Sequence, residues 1–216
     1  NIATVTNTYT KQAGTFQAKK VIADPKPANV PQSVKLFYQC NADSVDGAIK
    51  ANTDTELAVN TDGTVTDGAA FPRGTECKVT READESVAGY GVASAGLNAT
   101  VTLAEGKVAG NIATVTNTYT RKTGTFQAKK VIADPKPANA PQSVKLFYQC
   151  NADSVDGAVK ANTDTELTVN TDGTLVDGAV FHAGTECKVT READADIADY
   201  GVAATGLNTA VTIAEG

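Results

Sequence analysis

The decapeptide NIATVTNTYT occurs twice, at Asn1–Thr10 and again, letter for letter, at Asn111–Thr120. It is rich in β-branched residues and contains neither Gly nor Pro, a composition that is typical of a β-strand. The surrounding sequence repeats as well: residues 1–106 align with residues 111–216, and 86 of the 106 aligned positions are identical. Because a strand must pair within a sheet, the domain boundaries depend on which sheet each copy completes.

The composition limits the classes of protein to which the chain can belong. Its 216 residues form two similar units, each large enough for its own hydrophobic core. The chain is 41% hydrophobic without a long apolar run, which argues against a membrane span. Its formal net charge is −6 and its lysines are scattered, whereas a nucleic-acid surface needs a basic stripe. No signal peptide is recognisable and the chain starts inside a repeat, so we expect a fragment of a longer exported protein.

The cysteines occur as one pair in each unit, with the same spacing. The first pair is Cys40 and Cys77, and the second is Cys150 and Cys187. One disulfide per unit, formed in an oxidising compartment, is the simplest interpretation. A metal site is the alternative, but two cysteines without CxxC spacing or a nearby histidine make a poor zinc ligand set. We therefore predict disulfides, and neither a metal nor a cofactor.

Short strand patterns follow one another along each unit, and no segment has the 3.6-residue apolar period of a helix. A bulge is expected at Gly68, and the predicted terminal hairpin 99–120 pairs the repeated decapeptide with the strand before it. Seven or eight short antiparallel strands with one disulfide predict a β-sandwich, and therefore an all-β chain. In the first unit the strand patterns cover residues 14–24, 33–41, 56–60, 64–71, 75–80, 90–94 and 99–104.

This strand order predicts where the domains begin and end. Residues 1–10 would be the closing strand of a preceding repeat, and residues 11–120 the first sandwich. Residues 121–216 would form a second sandwich that lacks its own closing strand. The link between the sandwiches is short, so we expect the two domains to be arranged end to end, as in a rod whose length increases with the number of units.

Several motifs occur in the same order in both units: VTNTYT, then GTFQAKK, YQC and GTECKVTREAD. Together they resemble the Cna-B-type, immunoglobulin-like stalk repeats of Gram-positive cell-wall-anchored adhesins and pilins. The disulfide-containing variety of actinobacterial surface proteins is the most similar. The resemblance covers the whole chain, although each motif is short.

The resemblance implies an intramolecular isopeptide bond between an early-strand lysine and a last-strand asparagine. In the first unit the matching residues are Lys20 and Asn117, and alternation along their strands places both side chains on the apolar, inward face. In the second unit the lysine is Lys130, its asparagine would come from outside residues 121–216, and Asn7 holds the equivalent position in the repeated strand. The alternative is that Lys20 extends its ammonium to the edge of the sandwich while Asn117 makes backbone hydrogen bonds.

The family pattern also implies a buried acid shortly after the CxVT strand, and here the sequence departs from it. Strict alternation from Cys77 places Arg81 at the inward position and Glu82 one step away. Glu82 would face inward only if the strand bulges there, and Glu192, which follows Arg191, is in the same situation.

Three further features have weaker interpretations. The acidic stretches 41–47 and 52–56 could ligate calcium, but neither matches the twelve-residue calcium loop, and solvated turns fit them better. The single histidine, His182, aligns with Pro72, so a loop position is expected and no function common to both units can use it.

These observations favour a structural role over an enzymatic one. We expect stalk or spacer repeats of an exported bacterial surface protein or fibre, located at the cell surface, that hold an adhesive tip away from the cell. The alternative is an adhesin module that binds host protein or glycan through tandem repeats. The expected partners are adjacent repeats, with strand donation from residues 1–10 of a neighbouring copy as one route. A host ligand would bind elsewhere in the full protein.

Overall fold

The computed structural model describes residues 2–216 and divides the chain into unit 1, Asn1–Thr120, and unit 2, Arg121–Gly216. Strands dominate both units, and the only helical element among the described residues is a 3-10 turn at Ala109–Asn111. The all-β prediction is therefore confirmed. Within the described part of the chain, no helix is long and apolar enough to cross a membrane.

Unit 1 is a sandwich of two four-stranded sheets, and the chain passes from one sheet to the other at every connection but one. The strands are β1 (Ala13–Ile22), β2 (Ser33–Cys40), β3 (Thr55–Asn60), β4 (Val65–Pro72), β5 (Glu76–Ala83), β6 (Tyr90–Ala95), β7 (Thr100–Thr102) and β8 (Ile112–Arg121). One sheet has the order β4-β1-β8-β6 and the other the order β3-β2-β5-β7. The strand bounds agree closely with the predicted strand patterns, and the β1–β4 register shifts opposite Gly68, where a bulge was predicted.

The position of β8 differs from the prediction. The expected hairpin between the repeated decapeptide and the strand before it does not form, because β7 pairs with β5 in the opposite sheet. Strand β8 instead crosses to the first sheet, where it lies between β1 and β6 and runs parallel to β1. The physical reason is the connection formed by residues 103–111, which is too long for a tight hairpin and carries the chain from one sheet to the other.

The core of unit 1 lies between the two sheets. Phe16 and Tyr38 stack with their ring centroids 4.4 Å apart, and Phe71 packs edge-on against Tyr38. Cys40 and Cys77, which are register partners on neighbouring strands, form a disulfide within one sheet.

Unit 2 repeats one sheet of this sandwich in full but only half of the other. The strands are β9 (Thr123–Ala128), β10 (Ser143–Cys150), β11 (Thr165–Asn170), β12 (Val176–His182), β13 (Glu186–Ala193) and β14 (Val211–Thr212). The first sheet has the order β11-β10-β13-β14, in which Cys150 and Cys187 form a disulfide, and the second contains only β12 and β9. His182 is the last residue of β12 and pairs with Thr123, so the predicted loop position is wrong. The strand extends one residue beyond the counterpart of the predicted strand 64–71.

The incomplete sheet of unit 2 corresponds to the place of β8 in unit 1. Strand β9 ends at Ala128, whereas its counterpart β1 continues to Ile22. The segment 200–205, the counterpart of β6, forms no strand. Residues 2–10, whose sequence is identical to that of residues 112–120, are exposed and form no strand either. Asn1, the first residue of the predicted closing strand, lies outside the described residues.

Candidate cross-linking site

Strand β1 places Lys20 inside the sandwich of unit 1. Alternation along the strand buries Phe16, Ala18 and Lys20 on the same face, and the side chain of Lys20 is 0% exposed. A lysine is rarely buried in this way, because its ammonium loses its hydration shell. Its burial contradicts the alternative that Lys20 extends to the sandwich edge.

Strand β8 places Asn117 beside it by the same alternation. Val115, Asn117 and Tyr119 all face inward, and Asn117 is 0% exposed. Since β8 is the parallel neighbour of β1, Asn117 is the register partner of Ile22, two residues beyond Lys20. The two side chains therefore project into the same part of the interior.

A bulge in β5 brings in the third residue. The β2–β5 register shifts so that Tyr38 pairs with Val79, Phe37 with Arg81 and Leu36 with Glu82. One extra residue on β5 reverses the alternation, so the Glu82 side chain is only 3% exposed. The strict alternation that placed Arg81 inward is thus wrong for this strand. The guanidinium of Arg81 instead covers the Phe37 ring, 3.3 Å from its centroid, on the outer face.

The three side chains meet at one carboxylate oxygen. Lys20 Nζ lies 2.5 Å from Glu82 Oε1, and Asn117 Nδ2 donates a hydrogen bond of 2.9 Å to the same oxygen. Beyond the contact with Glu82, the Lys20 Nζ atom has no polar partner among the described residues, and the buried Asn117 Oδ1 has no hydrogen-bond partner there. The carboxylate therefore touches both the amine and the amide nitrogen, while the amide carbonyl stays unengaged.

The environment shifts the amine toward its neutral form. Burial lowers the pKa of Lys20 from its ordinary value of 10.5, because the low-dielectric interior penalises the ammonium. The carboxylates of Glu82 and Glu85 oppose this shift without reversing it. Lysine acts as a nucleophile when its amine is neutral, and burial of the amine favours that neutral form.

Sequence reasoning missed two supporting residues of this site. Ser94 Oγ donates to Glu82 Oε2 at 3.2 Å, and Tyr119 Oη donates to the Glu85 carbonyl at 2.5 Å. No local pattern in the sequence indicates either contact, because one joins β6 to β5 and the other joins β8 to the loop after β5. The one available signal was that Ser94 is among the few positions at which the units differ, since its counterpart is Ala204.

Unit 2 has two of the three residues in place. Lys130 Nζ lies 2.7 Å from Glu192 Oε2, and the same bulge of β13 turns Glu192 inward while Arg191 covers Phe147. Lys130 is 19% exposed, and Glu192 Oε1 is buried without a hydrogen-bond partner. Asn7, the equivalent of Asn117, is exposed at the start of the chain and is not brought to this pair within unit 2.

The acidic stretches considered for calcium are engaged by protein groups. In the stretch 52–56, Asp54 accepts a 2.9 Å hydrogen bond from Thr80 of β5, and the stretch 41–47 is bonded within its own loop. Asp43 accepts a 2.8 Å hydrogen bond from the Ala51 amide, and Asp46 accepts one of 2.5 Å from Ser44. These bonds lower the pKa of both carboxyls, in each case chiefly through the named donor. Across residues 2–216, no three His, Cys, Asp or Glu side chains cluster as metal ligands would.

Comparisons with known proteins give one family and several structures. Residues 16–120 and 126–216 match the family model described as "Domain of unknown function (DUF5979)". No curated protein matches the chain.

The chain is similar to the SpaC pilus adhesin of Lactobacillus rhamnosus GG, with 16% identity over 86% of this chain and a TM-score of 0.30. It spans only 20% of that adhesin's length. It is also similar to the major pilin T-13 of Streptococcus pyogenes, with 12% identity, a TM-score of 0.34, and coverage of 95% of this chain and 96% of that one. Because the family model covers nearly all of both units, the chain belongs to the DUF5979 family and carries two copies of its domain.

Proposed function

We propose that these units are stalk repeats of an exported bacterial surface protein or fibre, in which residues 11–120 and 121–216 are successive domains and residues 1–10 close a preceding one. The observation that carries the proposal is the buried cluster of Lys20, Glu82 and Asn117. Such a cluster has no access to an external substrate, so its chemistry acts on the protein's own side chains. The disulfide of each unit fits an oxidising location outside the cytoplasm.

The chemistry that this cluster supports is formation of an isopeptide bond. The neutral Lys20 amine attacks the side-chain carbonyl carbon of Asn117, an amide bond forms to Lys20 Nζ, and the bond to Asn117 Nδ2 breaks. Glu82 Oε1 contacts both nitrogens, so it is placed to take the proton from the amine and deliver it to the departing ammonia. Exclusion of water protects the developing intermediate from hydrolysis.

The position of this bond gives it a mechanical role. Because β1 and β8 run parallel, a pull on the two ends of unit 1 loads the start of β1 and the end of β8. A bond between Lys20 and Asn117 would pass that load directly from one strand to the other. Residues 21–116, which include the disulfide, would then carry no tension. A spacer built in this way resists extension even when its core is transiently disrupted.

The test is the intact mass of the 216-residue chain with both disulfides formed. We expect a mass lower by one ammonia than the sum of the disulfide-bonded sequence, and a cross-linked peptide joining Lys20 to Asn117 after digestion. The matched variants Lys20→Met and Asn117→Ala should each restore the full mass. A wild-type mass without loss of ammonia would contradict the cross-link and remove the main support for a load-bearing role.

A further inference from the structure

The outer face of the sheet that contains β2 and β5 carries four side chains at the bulge of β5. This outer cluster consists of Phe37 of β2, Asp54 before β3, and Thr80 and Arg81 of β5. Arg81 lies over the Phe37 ring, 3.3 Å from its centroid, and its Nε is 3.6 Å from Asp54 Oδ2. Thr80 Oγ1 lies 3.1 Å from the Phe37 carbonyl oxygen and 2.9 Å from Asp54 Oδ1. Since Thr80 is the extra residue of the bulge, the cluster surrounds the point at which alternation reverses.

Unit 2 contains the same cluster at the same bulge. Arg191 lies 3.3 Å from the centroid of Phe147, and its Nε is 3.2 Å from Asp164 Oδ2. Thr190 Oγ1 is 3.1 Å from the Phe147 carbonyl oxygen and 2.8 Å from Asp164 Oδ1. In both units the residue after the arginine is the glutamate that contacts the lysine of the opposite sheet. An outward arginine and an inward glutamate therefore occur together twice.

The bulge has a competitor, in which β5 alternates without interruption. Arg81 would then take the place of Glu82 opposite Leu36, and Glu82 would face the solvent. In that arrangement the guanidinium would lie unpaired in the interior, beside the side chain of Lys20, which is 0% exposed. Burial of an unpaired cation next to a second cation is costly, because neither charge is hydrated or compensated. The charge of Arg81 thus disfavours the regular register, and its stack on Phe37 favours the bulged one.

The contact between Arg81 and Asp54 is too weak to explain the choice of register. Their side chains are 53% and 38% exposed, and an ion pair with this exposure contributes little to stability. An unpaired buried charge costs far more than such a pair gains. The exclusion of Arg81 from the interior is therefore the stronger effect.

We propose that Arg81 is a positioning residue for the cross-linking reaction: its exclusion from the interior selects the bulged register of β5, and this register turns Glu82 toward Lys20 and Asn117. This inference rests on the cross-linking chemistry of the proposed function. Arg81 lies on the outer face of the sheet, so its effect on the reaction passes through Glu82.

The first experiment follows the loss of ammonia from unit 1 in newly synthesised chain, by intact mass against time under oxidising conditions. Arg81→Leu makes the inward position favourable for residue 81. The fraction of chains with Glu82 inward should then decrease, and the rate should fall by about tenfold or more. Arg81→Lys keeps the charge and should react at close to the wild-type rate. Arg191→Leu, the matched change in unit 2, should leave the rate in unit 1 unchanged.

A further variant keeps the test decisive if Arg81→Leu does not fold, which circular dichroism reports. Arg81→Gln removes the charge without adding an apolar side chain. Its rate should lie between those of Arg81→Lys and Arg81→Leu. A rate equal to that of the wild type would contradict the importance of the charge.

A second experiment reads the position of Glu82 in the Asn117→Ala background, where no cross-link can form. Exposed carboxylates are coupled to glycine ethyl ester with a water-soluble carbodiimide, and the modified residues are identified by mass spectrometry. The side chain of Glu82 is 3% exposed, so it should be protected in this background and with Arg81→Lys, but modified with Arg81→Leu. Glu76, which is exposed on the same strand, should be modified equally in all three.

Two outcomes would overturn the inference. Equal rates of ammonia loss in Arg81→Leu and the wild type would show that Arg81 does not position Glu82, and would leave the proposed function standing. Protection of Glu82 in Arg81→Leu would show that the bulge forms without the arginine. A wild-type chain that loses no ammonia would instead contradict the proposed function, and the modification of Glu82 would then decide by itself whether Arg81 sets the register.

Discussion

At the scale of the residue, the informative feature is a single carboxylate oxygen that touches both a lysine amine and an asparagine amide. Glu82 Oε1 makes both contacts in the interior of unit 1, at 2.5 Å and 2.9 Å. The local sequence predicted the inward positions of Lys20 and Asn117, because alternation along a strand is a local property. It could not establish the inward position of Glu82, because the bulge in β5 depends on the pairing of β5 with β2.

Substitution of Glu82 tests its role as the proton carrier. Glu82→Gln keeps the shape of the side chain but cannot accept the amine proton, so we expect the loss of ammonia from unit 1 to disappear or to slow by at least about 100-fold, as for removal of a general base. The measurement is intact mass against time after refolding. Glu192→Gln, the same change in unit 2, should leave the loss from unit 1 at its wild-type rate. An unchanged rate in Glu82→Gln would show that Glu82 only positions Lys20.

The depressed pKa of Lys20 predicts a pH dependence of stability when the cross-link cannot form. In Asn117→Ala the folded unit loses its proton from Lys20 below pH 10.5, the ordinary value, whereas the unfolded chain still holds it. The unfolded state then binds more protons, so stability increases as the pH rises through the window between the folded pKa and 10.5.

Urea unfolding followed by circular dichroism between pH 7 and pH 10 measures this trend. The double variant Lys20→Met with Asn117→Ala is the control, and it should lack this contribution while keeping every other titration. Parallel pH profiles for the two variants would contradict the shifted pKa.

At the scale of the element, β8 completes the first sheet of unit 1. Its position in that sheet depends on close packing of the segment that precedes it. Asn111, which precedes β8, is fully buried and bonds to the backbone of Ala104 and Gly106 through its side-chain amide. Gly14 of β1 lies against the same segment, where an added Cβ would come within 2.0 Å of the Ala104 carbonyl oxygen. The backbone can approach this closely only at glycine.

Replacement of this glycine therefore tests how β8 is seated. We expect Gly14→Ala to destabilise unit 1 by about 1–3 kcal/mol, the usual cost of overpacking, because the clash is with backbone that cannot rotate away. Urea unfolding of unit 1 in the Asn117→Ala background gives the measurement. Gly110→Ala is the matched control, since an added Cβ there meets no atom within 4 Å. Equal stability of the two variants would contradict the described packing at Ala104.

The sequence predicted the positions of the strands better than their pairing. Alternation and turn residues located the strands of unit 1 to within a few residues. They did not predict which strands pair, and the expected hairpin before β8 was wrong. A parallel pairing between the first and last strands joins residues about 100 positions apart, such as Gln17 and Ile112, and no local pattern contains that information.

At the scale of the whole molecule, two nearly identical units differ in structure because only one has a strand between the counterparts of β1 and β6. The sequence KKVI occurs in both, at residues 19–22 and 129–132. In unit 1 it lies within β1, and in unit 2 it follows the end of β9. Identical residues thus have different backbone partners in the two units, so unit 1 serves as the internal control for unit 2.

Hydrogen exchange should report this difference. In a dilute chain that lacks residues 1–10, we expect the amides of residues 129–132 and 200–205 to exchange much faster than those of residues 19–22 and 90–95, because local opening of an unpaired segment costs little free energy. Peptides that start at residues 11 and 121 distinguish the units by mass. Equal exchange in the two units would contradict the incomplete sheet.

The sequence by itself determined that the chain is an all-β repeat, where its strands run, and that Lys20 and Asn117 face inward. These properties follow from repetition and from the alternation of side chains, both of which are visible over a few residues. Only the tertiary structure decided that β8 lies parallel to β1, that a bulge turns Glu82 toward the lysine, and that the same bulge turns Glu192 toward Lys130. Those properties depend on pairing between strands far apart in sequence, and the free energy of such pairing depends on the whole sheet and not on any one segment.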